Sequence, residues 1–219
     1  MSAGTRPDED AQNTRGVVWE IVDDQLLHDA VQLAMDGIME IVGLQWQLAM
    51  HGLRRGKIAG LRWSDVDLTK SKLKIANTRI AVGSTIIEGP PKTKKSRRTL
   101  PLTKPLAAAL KAARAQQAQE KLTLGEHYQD SDYVVRLPTG LPVHPNLLTF
   151  RWKKILESAG LKHVRLHDAR HTCATLMHLQ GIPIAVIAAW LGHASAAFTL
   201  SVYAHSQEEA LMEAASSFE

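Results

Sequence analysis

One cysteine, Cys173, is all the chain contains, so no internal disulfide can form and no cysteine cluster can hold a metal. Long apolar runs are missing as well: nowhere do about 18 apolar residues follow one another, as a membrane-spanning helix requires. The first sixteen residues are polar and acidic, with Asp8, Glu9 and Asp10 where a signal peptide would need hydrophobic side chains. A soluble, intracellular protein held together by packing alone is therefore expected. A length of 219 residues at 45% hydrophobic composition suffices for one full core.

Acids are scarce in one particular stretch. Between Leu53 and Arg114 sixteen Lys and Arg face only Asp65, Asp67 and Glu88, a local charge of +13, which leaves the rest of the chain, 10 basic against 19 acidic, at −9. A net charge of +4 conceals this polarity. A concentrated basic segment suits a surface that neutralises phosphates, and binding through it should weaken steeply with salt. The competing explanation is a solvated basic face with no partner.

Residues 1–16 have almost no apolar content and read as a disordered tail, leaving 17–219 as one folded unit. Apolar positions from 17 to 50 recur at helical spacing, weakened at Gly37 and Gly43, and predict two helices. A short helix follows from about 55 to 61. Residues 72–102 change character: Leu73, Ile75, Ile80, Val82, Ile86 and Ile87 are strand formers broken by Asn77, Gly83 and Gly89, predicting a small three-stranded antiparallel sheet. Helices are then expected at about 104–122, 145–159, 166–179 and 183–191, with Pro183 at a start and Gly160, Gly181 and Gly192 at ends. The fold class is mainly α with one small sheet.

Six residues suited to phosphate chemistry follow one another along the chain: Arg54, Lys92, His167, Arg170, His193 and Tyr203. Singly each is weak evidence, since an exposed arginine or a lysine at a hairpin tip is usually only a solvated charge. His167 and Arg170, three apart, would share one helical face. Taken together, the motifs around them carry a resemblance. Residues 51–68 (HGLRRGKIAGLRWSDVDL) look like the first arginine box of the tyrosine recombinases of phage-integrase type. Residues 166–172 (LHDARHT) resemble the second box, and 190–195 (WLGHAS) followed by Tyr203 resemble the C-terminal one. Lys92, ahead of a strand-like run, matches the hairpin lysine.

The resemblance implies the catalytic fold of DNA breaking-rejoining enzymes and a site-specific recombinase or integrase acting on double-stranded DNA. Tyr203 is then the nucleophile that forms a 3′-phosphotyrosyl link. Arg54 and Arg170 would stabilise the phosphate oxygens, His167 would take the phenolic proton, Lys92 would protonate the departing 5′-oxygen and His193 would hydrogen-bond the phosphate. Arg55, Lys94, Lys95, Arg97 and Arg98 are expected to contact DNA. No cofactor and no metal is implied. Self-association on DNA in a tetrameric synapse, accessory DNA-bending proteins and a cytoplasmic, nucleoid-associated setting in a prokaryote are implied by the same resemblance, with a C-terminal helix at about 207–215 docking on a neighbouring protomer.

Rival explanations are weaker. His163, His167 and His171 are spaced by four, but no Glu follows the first as in metalloprotease helices and no second cluster supplies ligands. Trp63, Trp152 and Trp190 stand among apolar neighbours and read as core rather than as base-stacking platforms. Type IB topoisomerases are relatives by mechanism, yet the Leu-Gly-His box fits recombinases better. Two departures from the family point toward a DNA-binding remnant instead of an active enzyme. Most relatives carry an acid three positions after the first arginine, whereas this chain has Lys57, which should leave Arg54 without an orienting partner and repel it. In addition, only about 40 residues precede the first arginine box, so the usual N-terminal core-binding domain is expected to be absent.

Overall fold

The structure, a computed structural model, describes residues 43–91, 93 and 96–193. The expected N-terminal tail, most of the two helices expected over 17–50, Lys92, Lys94, Lys95, Tyr203 and the expected C-terminal helix lie outside the described residues. Seven helical residues, Leu44–Met50 (α1), begin the described chain behind Gly43. A tight turn leads to the five-residue helix Arg55–Ala59 (α2), then a single 3-10 turn, Trp63–Asp65.

The strand-forming segment makes two sheets, not the one expected. Val66–Asp67 (β1), Lys72–Ile75 (β2) and Arg98–Pro101 (β5) form an antiparallel three-stranded sheet, while Thr78–Val82 (β3) and Thr85–Gly89 (β4) pair only with each other. Burial explains the division. Leu73 and Ile75 of β2 and Leu100 of β5 turn one face into the core, and Leu73 stands opposite Leu100. In the β3–β4 ribbon the cross-strand pair Ile80 and Ile87 stays substantially exposed, so no core demands that ribbon in the same layer. Asn77, between β2 and β3, donates its side-chain amide to Asp65 Oδ2 at 3.0 Å and so fixes where the chain leaves the first sheet.

Lys104–Leu124 (α3) is capped by Thr103, whose hydroxyl accepts from the Leu106 amide, with a proline in its first turn. It buries Leu106 and Leu110 and exposes most of the rest of its length. Pro145–Ser158 (α4), Asp168–Leu179 (α5) and Ile184–Leu191 (α6) complete the described fold, with α1 against α3 and α5, α2 against β3 and α4, and α5 against α6. The main core gathers Trp46, Leu48, Leu53, Ile58, Leu61, Leu73, Leu110, Val143 and Leu148, and a smaller cluster of Cys173, Ala174, Ile187 and Leu191 closes the α5–α6 pair. Trp63, Trp152 and Trp190 pack against this core as expected, each indole N–H satisfied: by Gln117, by the Val164 carbonyl and by the His51 carbonyl. No described helix is long and apolar enough to cross a membrane.

Candidate phosphate-binding site

Four segments far apart in sequence meet at one place. The turn 51–54 between α1 and α2, the start of α5, the end of α6 and the start of β5 are tied together through arginine side chains. Arg170 is the knot. Only 3% of its surface is exposed, and its two terminal nitrogens donate to the carbonyls of Gly52 and Leu191, the latter at 2.7 Å. One guanidinium thus clamps the first arginine box to the last described helix, a task suited to a planar fork.

Gly52 is required in that clamp. Its φ is +83°, and a Cβ there would meet Leu191 Cδ2 at 2.6 Å. We expect Gly52→Ala to lower stability by about 1–3 kcal/mol through left-handed strain and collision. Urea denaturation of the two proteins measures it, and an unchanged midpoint would contradict the close approach.

Arg54 is the N-cap of α2, with extended backbone, and is half-buried. Burial lowers its pKa, and no carboxylate among the described residues offsets its charge, nor that of Lys57 or Arg98. His167 caps α5 one turn ahead of His171, and the rings meet edge-on with centroids 5.1 Å apart. Partial desolvation, reinforced by His171, Arg170 and Arg54, lowers the pKa of His167, which leaves its imidazole neutral and able to accept a proton near pH 7. His193 follows Gly192, whose left-handed conformation ends α6 and whose successor's amide returns to the Ala188 carbonyl at 2.9 Å. Burial, then Arg170 and Arg54, pushes the His193 pKa from 6.5 down to about 4.

That shift has a sign. Between pH 6.5 and about 4 the unfolded chain takes up a proton at His193 that the folded chain refuses, so stability falls as pH drops through this window. His193→Gln should flatten that part of the stability curve, as read from denaturation midpoints at pH 4.5, 5.5 and 6.5; a curve parallel to wild type would contradict the shift.

Of the sequence-predicted site residues, Arg54, His167, Arg170 and His193 are brought together: Arg170 bonds the carbonyls two residues before Arg54 and two before His193, and it lies in the first turn of the helix that His167 begins. Lys92 and Tyr203 lie outside the described residues, as do Lys94 and Lys95. Arg55 is exposed and donates to the Thr149 hydroxyl at 3.1 Å, and Arg97 is exposed. Arg98 turns inward: its Nε donates to the Trp190 carbonyl, its remaining nitrogens are buried without a partner, and its pKa falls to about 10 through burial and Arg54. Strand alternation carried that signal, because Arg98 shares a face with buried Leu100, two residues on. His163 precedes the first turn of α5, so the three spaced histidines do not lie along one helix. Sequence reasoning also passed over His51, whose ring nitrogens bond the Gln47 carbonyl at 2.7 Å and Thr103 Oγ1 at 2.9 Å, bracing the turn that carries Arg54.

A buried concentration of cations beside neutral imidazoles can hold a phosphate diester and exchange protons at its ester oxygens. Comparison with known proteins points the same way. The model of the phage integrase family matches residues 25–210. The chain is 34% identical over 168 residues to a tyrosine recombinase XerC-like protein of Caldanaerobacter subterraneus, covering 70% of this chain and 42% of that one. It is 29% identical to the ICEBs1 integrase of Bacillus subtilis, covering 71% and 42%. The chain therefore spans about two fifths of the length of these curated relatives. Among solved structures, XerA recombinase superposes with a TM-score of 0.61 at 24% identity, over 90% of this chain and 64% of that one. The Tn1549 transposon integrase in complex with transposon right end DNA gives 0.63 at 15% identity, over 86% and 64%. At these identities the structural likeness establishes the fold, that of tyrosine-recombinase catalytic domains.

Proposed function

The chain belongs to the phage integrase family, and from that premise we propose that residues 17–219 form the catalytic unit of a site-specific DNA recombinase working through a 3′-phosphotyrosyl intermediate. The observation that carries this reading is the meeting of Arg54, Arg170, His167 and His193, from three motif boxes, at one electropositive site.

The chemistry follows from what such a site can do. A phosphodiester gains negative charge as its phosphorus is attacked, and the Arg54 and Arg170 guanidiniums strengthen their hold as that charge develops. Tyr203 supplies the attacking phenol, whose pKa near 10 in water calls for a base. Neutral His167 accepts that proton, Lys92 gives one to the departing 5′-oxygen, and neutral His193 hydrogen-bonds the phosphate. Because the tyrosyl ester conserves the diester's energy, the 5′-hydroxyl of another strand reverses the attack and completes strand exchange without ATP or a metal. Double-stranded DNA is the substrate, with Arg55, Lys94, Lys95, Arg97 and Arg98 contributing to the charge that holds it. A tetrameric synapse and DNA-bending accessory proteins are the assembly this chemistry would use.

Lys57, in place of the usual acid, favours a second reading: a DNA-binding protein with weakened catalysis. Duplexes carrying the sequences that flank the gene separate the two. Gel shifts that weaken with salt, accompanied by strand exchange between paired sites, are expected; binding with no strand exchange under any pairing would replace the recombinase by the DNA-binding reading.

A further inference from the structure

Lys57 stands three residues after Arg54 on α2, and only 5% of its surface is exposed. Burial, with Arg98, Arg54 and Arg170 nearby, pulls its pKa down to about 7. Its hydrogen-bond partner among the described residues is neutral: Nζ donates to the Ser96 carbonyl at 3.2 Å, in the connection between β4 and β5. Ser96 is itself bound to Thr93. Its amide donates to the Thr93 carbonyl at 3.1 Å and to Thr93 Oγ1 at 3.2 Å, and the two hydroxyls lie 3.0 Å apart. Thr93 is joined by its peptide bond to Lys92. An acid at position 57 would offer only acceptors and could not hold a carbonyl, whereas an amine donates to it whether protonated or neutral.

We infer that Lys57 is a positioning residue for strand cleavage: by pinning Ser96 it ties the hydrogen-bonded Thr93–Ser96 turn, which follows Lys92 directly in sequence, to the helix that begins behind Arg54. The inference rests on the reading of Lys92 as general acid. In that step the bond between phosphorus and the 5′-oxygen breaks as the Tyr203 oxygen bonds to phosphorus, the phenolic proton passes to His167, and a Lys92 proton passes to the 5′-oxygen. A turn freed from α2 impairs only the last transfer, while the arginines keep their hold on the phosphate.

Two nicked duplexes test this, one with the natural 5′-bridging oxygen and one with sulfur in its place, because a thiolate departs without a proton. Lys57→Met keeps the bulk and removes the donor. It is expected to slow covalent adduct formation about 10- to 100-fold on the oxygen duplex and to match wild type on the sulfur duplex, as Lys92→Ala should. Lys57→Gln, whose amide can donate to Ser96, should recover part of the rate on oxygen and provides the second variant should Met fold poorly. Equal slowing on both duplexes, or no slowing on oxygen, overturns the inference while leaving a recombinase. Wild-type protein inert on both duplexes, though it binds them, overturns the recombinase reading itself.

Discussion

Arg170→Lys is expected to reduce strand cleavage by about 10²- to 10³-fold, the loss typical when one preorganised donor to a developing oxyanion is removed. The reason lies in the buried place of Arg170 between two carbonyls. Lysine is a point charge on a flexible stem, and it cannot donate at once to the Gly52 and Leu191 carbonyls and face a phosphate. One buried carbonyl is left without a donor, which costs about 1–3 kcal/mol of stability as well. Arg170→Ala should cost more, since both carbonyls lose their partner. Single-turnover cleavage rates together with thermal melts check both halves; a Lys variant with wild-type rate and melting temperature would remove Arg170 from the account.

The second large effect is expected at Arg54. Arg54→Ala should lower the cleavage rate by about 10²-fold or more while changing duplex affinity little, because only an interaction stronger in the transition state affects the rate without affecting binding. Arg54 is suited to that role: it is half-buried at the start of α2, it lowers the pKa of His167 and His193, and no described carboxylate competes for its guanidinium. The double variant with Arg170→Ala should fall well short of the product of the two single losses, as expected for residues that act on one phosphate. A loss of affinity matching the loss of rate would instead make Arg54 an ordinary DNA contact.

The motif boxes were legible in the sequence because the chemistry fixes residue types at short spacing, and four of the six residues they nominated stand together in the fold. The helices from 104 onward were legible within a few residues because Thr103, Pro145, Pro183 and Gly192 mark their ends by local backbone preference. What composition could not reveal was the split of the strand region, since β-formers signal strands but pairing depends on which faces the helices cover. The inward turn of Lys57 and Arg98 was hidden for a related reason. A cation in a basic segment looks like a solvated charge, and only the closeness of α2 to β5 and the α6 terminus shows that these two are enclosed. Lys57 was expected to leave Arg54 without an orienting partner and to repel it; it also holds the Ser96 carbonyl.

The most direct measurement is a denaturing gel of the protein incubated with a nicked duplex that carries its flanking sites, arranged so that the cleaved fragment diffuses away and the intermediate is trapped. The account predicts a protein–DNA adduct stable to denaturation, with the protein on the 3′-phosphate, present in wild type and absent in Tyr203→Phe. An adduct that persists in Tyr203→Phe, or none at all on DNA that gel shifts show to be bound, would contradict it.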